Sequence, residues 1–347
     1  MKPFSWVFIS SLGAVAVAGP IPEALPYNVN NRAITLTDSE VKIFDFYAQY
    51  AAAGYCNTEV PVGSTIACSE NACPEVTAAG ATVLATFGGI LTDIQGFISV
   101  DDTNELIVAS FKGSTSIRNW IANLVFVQVP CDLVKDCALH AGFATGWAEI
   151  DEEVLAGIKA AKAANPSYKI IFTGHSLGGA VATIGAGYLR DKGYDIDIYS
   201  YGSPRPGNNA FVKHITEQAG FEYRITHLSD PVPRLPPILL NYRHTSPEYW
   251  FHTGDTDTTE YTAADAKVCE GHASVGCNAG TFGLDIPSHS YYFQDISACN
   301  GGIEWRRDGT YEMGTTEPEE LTDEELEAKL NELVAQDIEY AATLEED

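Results

Sequence analysis

Positive charge is scarce in this 347-residue chain: 20 Lys and Arg stand against 47 Asp and Glu, a formal net charge of −27. Nucleic acid is excluded as a partner, because its phosphates would be repelled, and electrostatic docking on anionic lipid is disfavoured for the same reason. Long apolar runs are equally scarce. Beyond the first residues no segment reaches 18 uninterrupted apolar residues, so no transmembrane segment is expected. No C-x-x-C pair occurs and the cysteines have no neighbouring His pairs, which argues against a zinc site; neither a metal nor a cofactor is expected. The one Asn-x-Ser/Thr sequence, Asn165-Pro166-Ser167, carries the proline that bars glycosylation. No internal repeat is evident.

Residues 1–18 read as a signal peptide: Lys2, a mostly apolar stretch from Phe4 to Val17, and the small-residue site Ala16-Val17-Ala18. A secreted, extracellular protein is therefore expected. Residues 19–32 hold three prolines and end Asn-Asn-Arg, the composition of a short propeptide, although no dibasic pair occurs there. Eight cysteines in a secreted chain predict disulfides, with 105 connectivities open from sequence alone. The domain division expected is a single catalytic body over 33–300 and an acidic extension over 301–347. That extension carries 16 acidic and 3 basic residues, a net −13.

Chemistry enters at Ile170-Ile-Phe-Thr-Gly-His-Ser-Leu-Gly-Gly179. A β-branched apolar run stops at Gly174, Ser176 follows His175, and helix-forming Ala-Val-Ala-Thr comes after Gly179. G-x-S-x-G at a strand-to-helix junction is a nucleophile elbow: the turn is so sharp that side chains two positions either side of the serine would collide.

The flanking pattern places the elbow. A helix is expected over 38–55, strands over 97–100 and 106–111 joined as a hairpin, a helix over 147–164, a strand over 169–172 and a helix from the elbow to about Lys192. A strand over 195–200, a helix over 207–219 and a strand over 222–228 complete the alternation, which predicts an α/β fold with a mostly parallel central sheet and ligands at the carboxyl ends of its strands. In the tail, Thr322-Asp-Glu-Glu325 is a capping box, and Leu326, Leu330, Leu333, Val334 and Ile338 follow at helical spacing, predicting an amphipathic helix over 323–340. Its stripe is read as packing on the body; a regulatory or partner-binding appendage is the alternative.

A serine nucleophile needs a base and a carboxylate to orient that base, in the chain order Ser, Asp/Glu, His for this architecture. Asp230 directly follows the strand over 222–228 in a proline-stiffened loop. Among the histidines, His289, His244 and His272 stand as candidates for the base on position alone.

The chain resembles the class 3 triacylglycerol lipases secreted by filamentous fungi, roughly from Ser39 to Cys299. The resemblance is carried by Ala53-Gly-Tyr-Cys56, Ser110-Phe-Lys-Gly-Ser-Thr-Ser-Ile-Arg-Asn-Trp120, Phe172-Thr-Gly-His-Ser-Leu-Gly-Gly-Ala180, Tyr223-Arg-Ile-Thr-His227, Val232-Pro-Arg-Leu-Pro-Pro237 and Ile286-Pro-Ser-His289, among others. It implies an α/β-hydrolase fold with a short helical lid, a catalytic triad of Ser176, Asp230 and His289, and an oxyanion hole at Ser114 and the Leu177 amide. It further implies disulfides Cys56–Cys299, Cys68–Cys73 and Cys131–Cys137, leaving Cys269 and Cys277 to pair with each other. Lys112 stands where the family has Arg, and Ser203 where it has Ala. The acidic tail has no counterpart in the resemblance.

Ile117, Trp120, Ile121 and Leu124 follow Ser114 at i, i+3, i+4 and i+7, one face of a short helix that the family places as a lid. Exposing all four to water would cost roughly 6–12 kcal/mol, so the lid is expected shut in water and open against lipid. The function implied is a secreted triacylglycerol lipase, acting on lipid esters at a transient lipid interface through an acyl-enzyme. A soluble carboxylesterase of the feruloyl type or a phospholipase A1 is the alternative; the apolar lid argues against the former.

Overall fold

The computed structural model describes residues 35–123, 125–300 and 321–344. The expected signal peptide and propeptide, with all residues up to 34, lie outside the described residues, as do Leu124 of the expected lid, residues 301–320 of the acidic extension and residues 345–347.

Helix α1 (Asp38–Ala53) opens the fold behind a capping box in which Thr37 and Glu40 satisfy each other's amides. Helix α2 (Pro74–Ala79) leads into β1 (Thr82–Gly88), β2 (Gln95–Asp101) and β3 (Leu106–Phe111), an antiparallel meander. After it come α3 (Ile117–Asn123) and a small hairpin, β4 (Gln128–Pro130) with β5 (Ala138–His140). Then strand and helix alternate: α4 (Ala141–Ala164), β6 (Lys169–His175), α5 (Leu177–Asp191), β7 (Ile196–Tyr201), α6 (Asn209–Glu217) and β8 (Glu222–His227). Strands β9 (Glu248–Phe251) and β10 (Ala266–Cys269) follow, then the short α7 (Ile286–Ser290) and finally α8 (Asp323–Ala341). The main sheet has eight strands in the order β1-β2-β3-β6-β7-β8-β9-β10. From β3 to β9 the pairing is parallel, as the alternation predicts, with antiparallel strands at both margins.

Period-two geometry explains the continuous apolar runs. Val108, Ile171, Tyr199 and Tyr201 face α1 on one side of the sheet. Ile107, Ala109, Ile170, Phe172, Ile196 and Ile198 face α4, α5 and α6 on the other. The parallel strands β3, β6 and β8 deliver their carboxyl ends to one edge. From that edge emerge the segments holding Ser114, Ser176 and Asp230.

Two differences from the sequence reading have clear causes. Helix α4 begins at Ala141 rather than 147, because Phe143 is buried between His140 and Trp120 and that packing overrides the low helix propensity of Gly142 and Gly146. Strands β9 and β10 had not been expected; both are four residues long, and β9 carries buried Glu248 where an apolar residue would be looked for.

All eight cysteines pair as Cys56–Cys299, Cys68–Cys73, Cys131–Cys137 and Cys269–Cys277. The first spans a sequence separation of 243 and ties the end of α1 to the end of the body. On the loop-entropy account its stabilisation sits near the top of the ~0–5 kcal/mol range.

Asp45 on α1 generates a pH test. Burial first, and the charge of Glu75 second, raise its carboxyl pKa to about 6, so the fold prefers it neutral. That contribution is complete below the unfolded value of 3.8 and is lost as pH rises through 6. Asp45→Asn should therefore raise Tm at pH 8 and give no gain at about pH 4; an equal change at both pH values would contradict this assignment.

Candidate active site

Ser176 sits between β6 and α5 with φ 57° and ψ −130°, a conformation sparsely populated for residues with a Cβ. Two glycines make it reachable. A Cβ on Gly178 would lie 2.1 Å from the Phe111 carbonyl oxygen, and one on Gly174 would lie 2.5 Å from the Gly178 carbonyl carbon. Only bare backbone lets the elbow fold onto itself and onto β3. The Ser176 amide donates to Tyr201 O at 2.9 Å, which anchors the turn to β7. Helix α5 then points its amino end at the serine, a partial positive charge beside the hydroxyl.

Asp230 follows β8 and is fully buried. Its Oδ2 accepts from His289 Nδ1 at 2.8 Å and from the Tyr292 hydroxyl at 2.5 Å, and its Oδ1 accepts the Val232 amide at 2.8 Å. Three donors thus fix one carboxylate. The loop itself is pinned by Asn278, whose side-chain amide donates to the carbonyls of Leu228 and Asp230, both at 3.1 Å.

His289 rides on α7, where Asp285 caps the helix through Ser288. The Ser229 hydroxyl also donates to Asp285, at 3.1 Å, coupling the Asp230 loop to the His289 helix. Because Nδ1–H is given to Asp230, Nε2 carries the lone pair. Ser176 Oγ and His289 Nε2 are both buried, and neither is hydrogen-bonded to another described group.

Two further histidines hold His289 in place, and the sequence assigns neither a role. His175 Nε2 lies 2.7 Å from the His289 carbonyl oxygen, and His227 Nδ1 lies 3.0 Å from the Ser288 carbonyl oxygen. A carbonyl can only accept, so those nitrogens carry the protons; the opposite nitrogens accept from the hydroxyls of Tyr55 and Tyr261, each at 2.8 Å. Burial first, and the proximity of His289 second, hold His175 well below the ordinary imidazole range; burial lowers His227 as well. Both are neutral struts. Their only sequence signal was position, His175 inside the elbow and His227 at the end of β8.

The other candidate bases go elsewhere. His244 Nε2 donates to Pro233 O at 2.8 Å, and His272 Nδ1 lies 3.0 Å from His244 O, so this pair braces a loop. Gly113 passes so close to the elbow that a Cβ there would meet Ser176 Cβ at 3.2 Å. Ser114 is the next residue along the chain from this close approach to Ser176.

Helix α3 packs against segments next to Asp230 and His289. Ile117 and Ile121 are buried beside Val232, Leu235 and Ile286, while Trp120 stacks on Phe143 with ring centroids 6.3 Å apart and planes 17° from parallel. Among the described residues, the one cluster with metal-ligand spacing is Cys56, Cys68 and Cys299, whose sulfurs are in disulfides and not available as thiolates. No helix among the described residues is long and apolar enough to cross a membrane.

Known proteins place this arrangement. The class 3 lipase profile matches residues 108–240, and the profile of the lipase 3 N-terminal region matches residues 8–85. A secreted mono- and diacylglycerol lipase 1 of Fusarium solani is 45% identical over 336 residues, covering 96% of this chain and 97% of that protein. Secreted mono- and diacylglycerol lipase A of Penicillium cyclopium is 41% identical over 309 residues, 86% of this chain and 98% of its own. The crystal structure of a mono- and diacylglycerol lipase from Aspergillus oryzae superposes with a TM-score of 0.72 at 39% identity, covering 75% of this chain and 98% of that one. With that identity sustained over almost the whole length, and an α/β-hydrolase sheet carrying the elbow at its centre, the chain belongs to the class 3 lipases and is an ester hydrolase.

Proposed function

We propose that this chain is an extracellular lipase that cleaves acylglycerol esters at a lipid–water interface through an acyl-enzyme on Ser176, with mono- and diacylglycerols as its preferred substrates. The observation that carries the reaction is the buried Asp230–His289 pair set beside the strained Ser176 elbow. His289 Nε2 takes the Ser176 proton as Oγ attacks the ester carbonyl, and Asp230 holds the ring in the required tautomer and stabilises the imidazolium. The amides of Ser114 and Leu177, with the Ser114 hydroxyl, bind the developing oxyanion; one such donor is worth about 3–4 kcal/mol of barrier. His289 then protonates the leaving alkoxide, and a water deprotonated by the same nitrogen releases the fatty acid. The names of the relatives at 45% and 41% identity support partial glycerides over the triacylglycerol inferred from the broader family.

Ser176→Ala, Asp230→Asn and His289→Ala should each lower kcat at least ~10³-fold, and any double variant should lose little more than its worse parent, because the three act as a unit. Steady-state rates on diolein with unchanged circular dichroism check this; His289→Ala retaining near-native kcat would remove it from the role of base. Rates on monoolein, diolein and triolein at equal interfacial area test the substrate preference, and a rate highest on triolein would return the enzyme to the triacylglycerol group.

The lid reading has its own consequence. Opening α3 exposes Ile117, Trp120 and Ile121, so the open form gains only where lipid receives them. Hydrolysis of tributyrin should rise steeply as substrate passes its solubility limit. Trp120→Ser should weaken emulsion hydrolysis more than hydrolysis of a dissolved ester. A smooth saturation curve through that limit, with both substrates equally harmed, would mark a soluble esterase.

A further inference from the structure

Three loops that carry the reacting groups each contribute an apolar side chain to one patch. Ile117 lies three residues past Ser114, Val232 two past Asp230, and Ile286 three before His289; Leu235 joins them. All four are buried, and what lies over them is the tail. Leu326 and Leu330 of α8 pack into the patch, with Leu321 and Leu333 at its edge.

Polar contacts fix the helix at three levels. At its amino end, Arg118 of the lid helix pairs with Asp323 at 2.8 Å and donates to the Leu321 carbonyl at 2.6 Å. Midway, the Gly283 amide donates to Asn331 at 2.7 Å. Toward its carboxyl end, buried Asp337 accepts the amides of Ile238 at 2.8 Å and Leu239 at 2.9 Å and pairs with buried Arg205 at 3.3 Å. The outer face of α8 exposes Glu324, Glu325, Glu327, Glu332 and Glu339. With α8 in place the mouth presents carboxylates to its surroundings; without it the mouth presents Leu, Ile and Val.

We propose that α8 occupies the surface through which this enzyme meets lipid, so that α8 and an uncharged lipid surface compete for one patch and the lid opens only in molecules whose α8 has left it. The proposal rests on the lid reading of α3 given above. Three features argue for competition over simple bracing. The helix is tied to α3 by the Arg118–Asp323 pair and shares one apolar cluster with Ile117 and Ile121. It covers residues drawn from each of the catalytic loops. Its solvent face carries the charge least suited to adsorption. Lipid can shift such an equilibrium only by binding the released form better, and the apolar patch beneath α8 supplies that difference.

The test uses the full chain. Leu330→Glu puts a charge into the patch and should release α8. Asp323→Lys breaks only the lid ion pair, where both side chains are partly exposed (25% and 56%). Two readouts are taken: the rate at which a water-soluble p-nitrophenyl phosphonate labels Ser176, and sedimentation with phosphatidylcholine vesicles containing diacylglycerol. Leu330→Glu should label at least about tenfold faster and bind vesicles more tightly, as expected from burying a charge in a packed patch. Asp323→Lys should label about two- to fivefold faster, an effect that shrinks in high salt because the pair is exposed. Should Leu330→Glu fail to fold, Asp323→Lys decides. Labelling and vesicle binding equal to wild type in the folded variants, or a lower Tm with no gain in either, would make α8 a brace and overturn the proposal. If Leu330→Glu, folded, binds vesicles more tightly than wild type yet is not labelled at all, the Ser176 assignment is struck instead, and vesicle binding, which does not need Ser176, still decides the competition.

Discussion

Everything at this site depends on a close approach of bare backbone. Ser176 can hold φ 57°, ψ −130° only while Gly174 and Gly178 touch each other and β3 without side chains between them. Such a conformation costs on the order of 1–3 kcal/mol and persists because the surrounding structure over-determines it. Here the determinants are the parallel ladder from β3 through β8, the Ser176–Tyr201 backbone bond and the amino end of α5. Once the elbow is set, the oxyanion segment after β3 and the Asp230 loop after β8 have no freedom to be elsewhere, since both leave the same edge of the same sheet.

His289 is placed by a different device. His289 sits on a one-turn helix, an element too short to be rigid by itself. Its position comes from outside: His175 and His227 grip the carbonyls at 289 and 288, while Asp230 grips the ring. A charged strut would be costly in this buried setting, and burial shifts both His175 and His227 toward the neutral form. The reacting groups are therefore mounted on neutral, fully bonded supports, with the one strongly polar pair, Asp230–His289, aimed at the serine.

How much of this was legible depends on the period of the signal. The elbow announced itself because a β-branched run, two glycines and a helical pattern coincide over ten residues, and α8 because five apolar positions recur at helical spacing behind a capping box. Strand β9 did not: it is four residues long, and its buried Glu248 is satisfied by Arg224 and Thr226 on the neighbouring strand and by the Asn278 amide, partners that local pattern cannot reveal. The onset of α4 was hidden for the same reason: Gly142 and Gly146 read as helix breakers until Phe143 finds its place under Trp120. Sequence also gave the apolar stripe of α8 without saying what it covers. That it packs beside α3 is a tertiary fact, carried by Arg118, Ile117 and Ile121 from two hundred residues away.

The central claim is that the acyl group passes through Ser176. Acid-quenched mass spectrometry of the enzyme turning over p-nitrophenyl butyrate reads this directly, together with the pre-steady-state release of nitrophenol. The account predicts a burst of nitrophenol and a butyryl adduct on the peptide bearing Ser176, a covalent intermediate of the kind such kinetics reveal. Steady turnover with no adduct, or with the adduct on another residue, would contradict it.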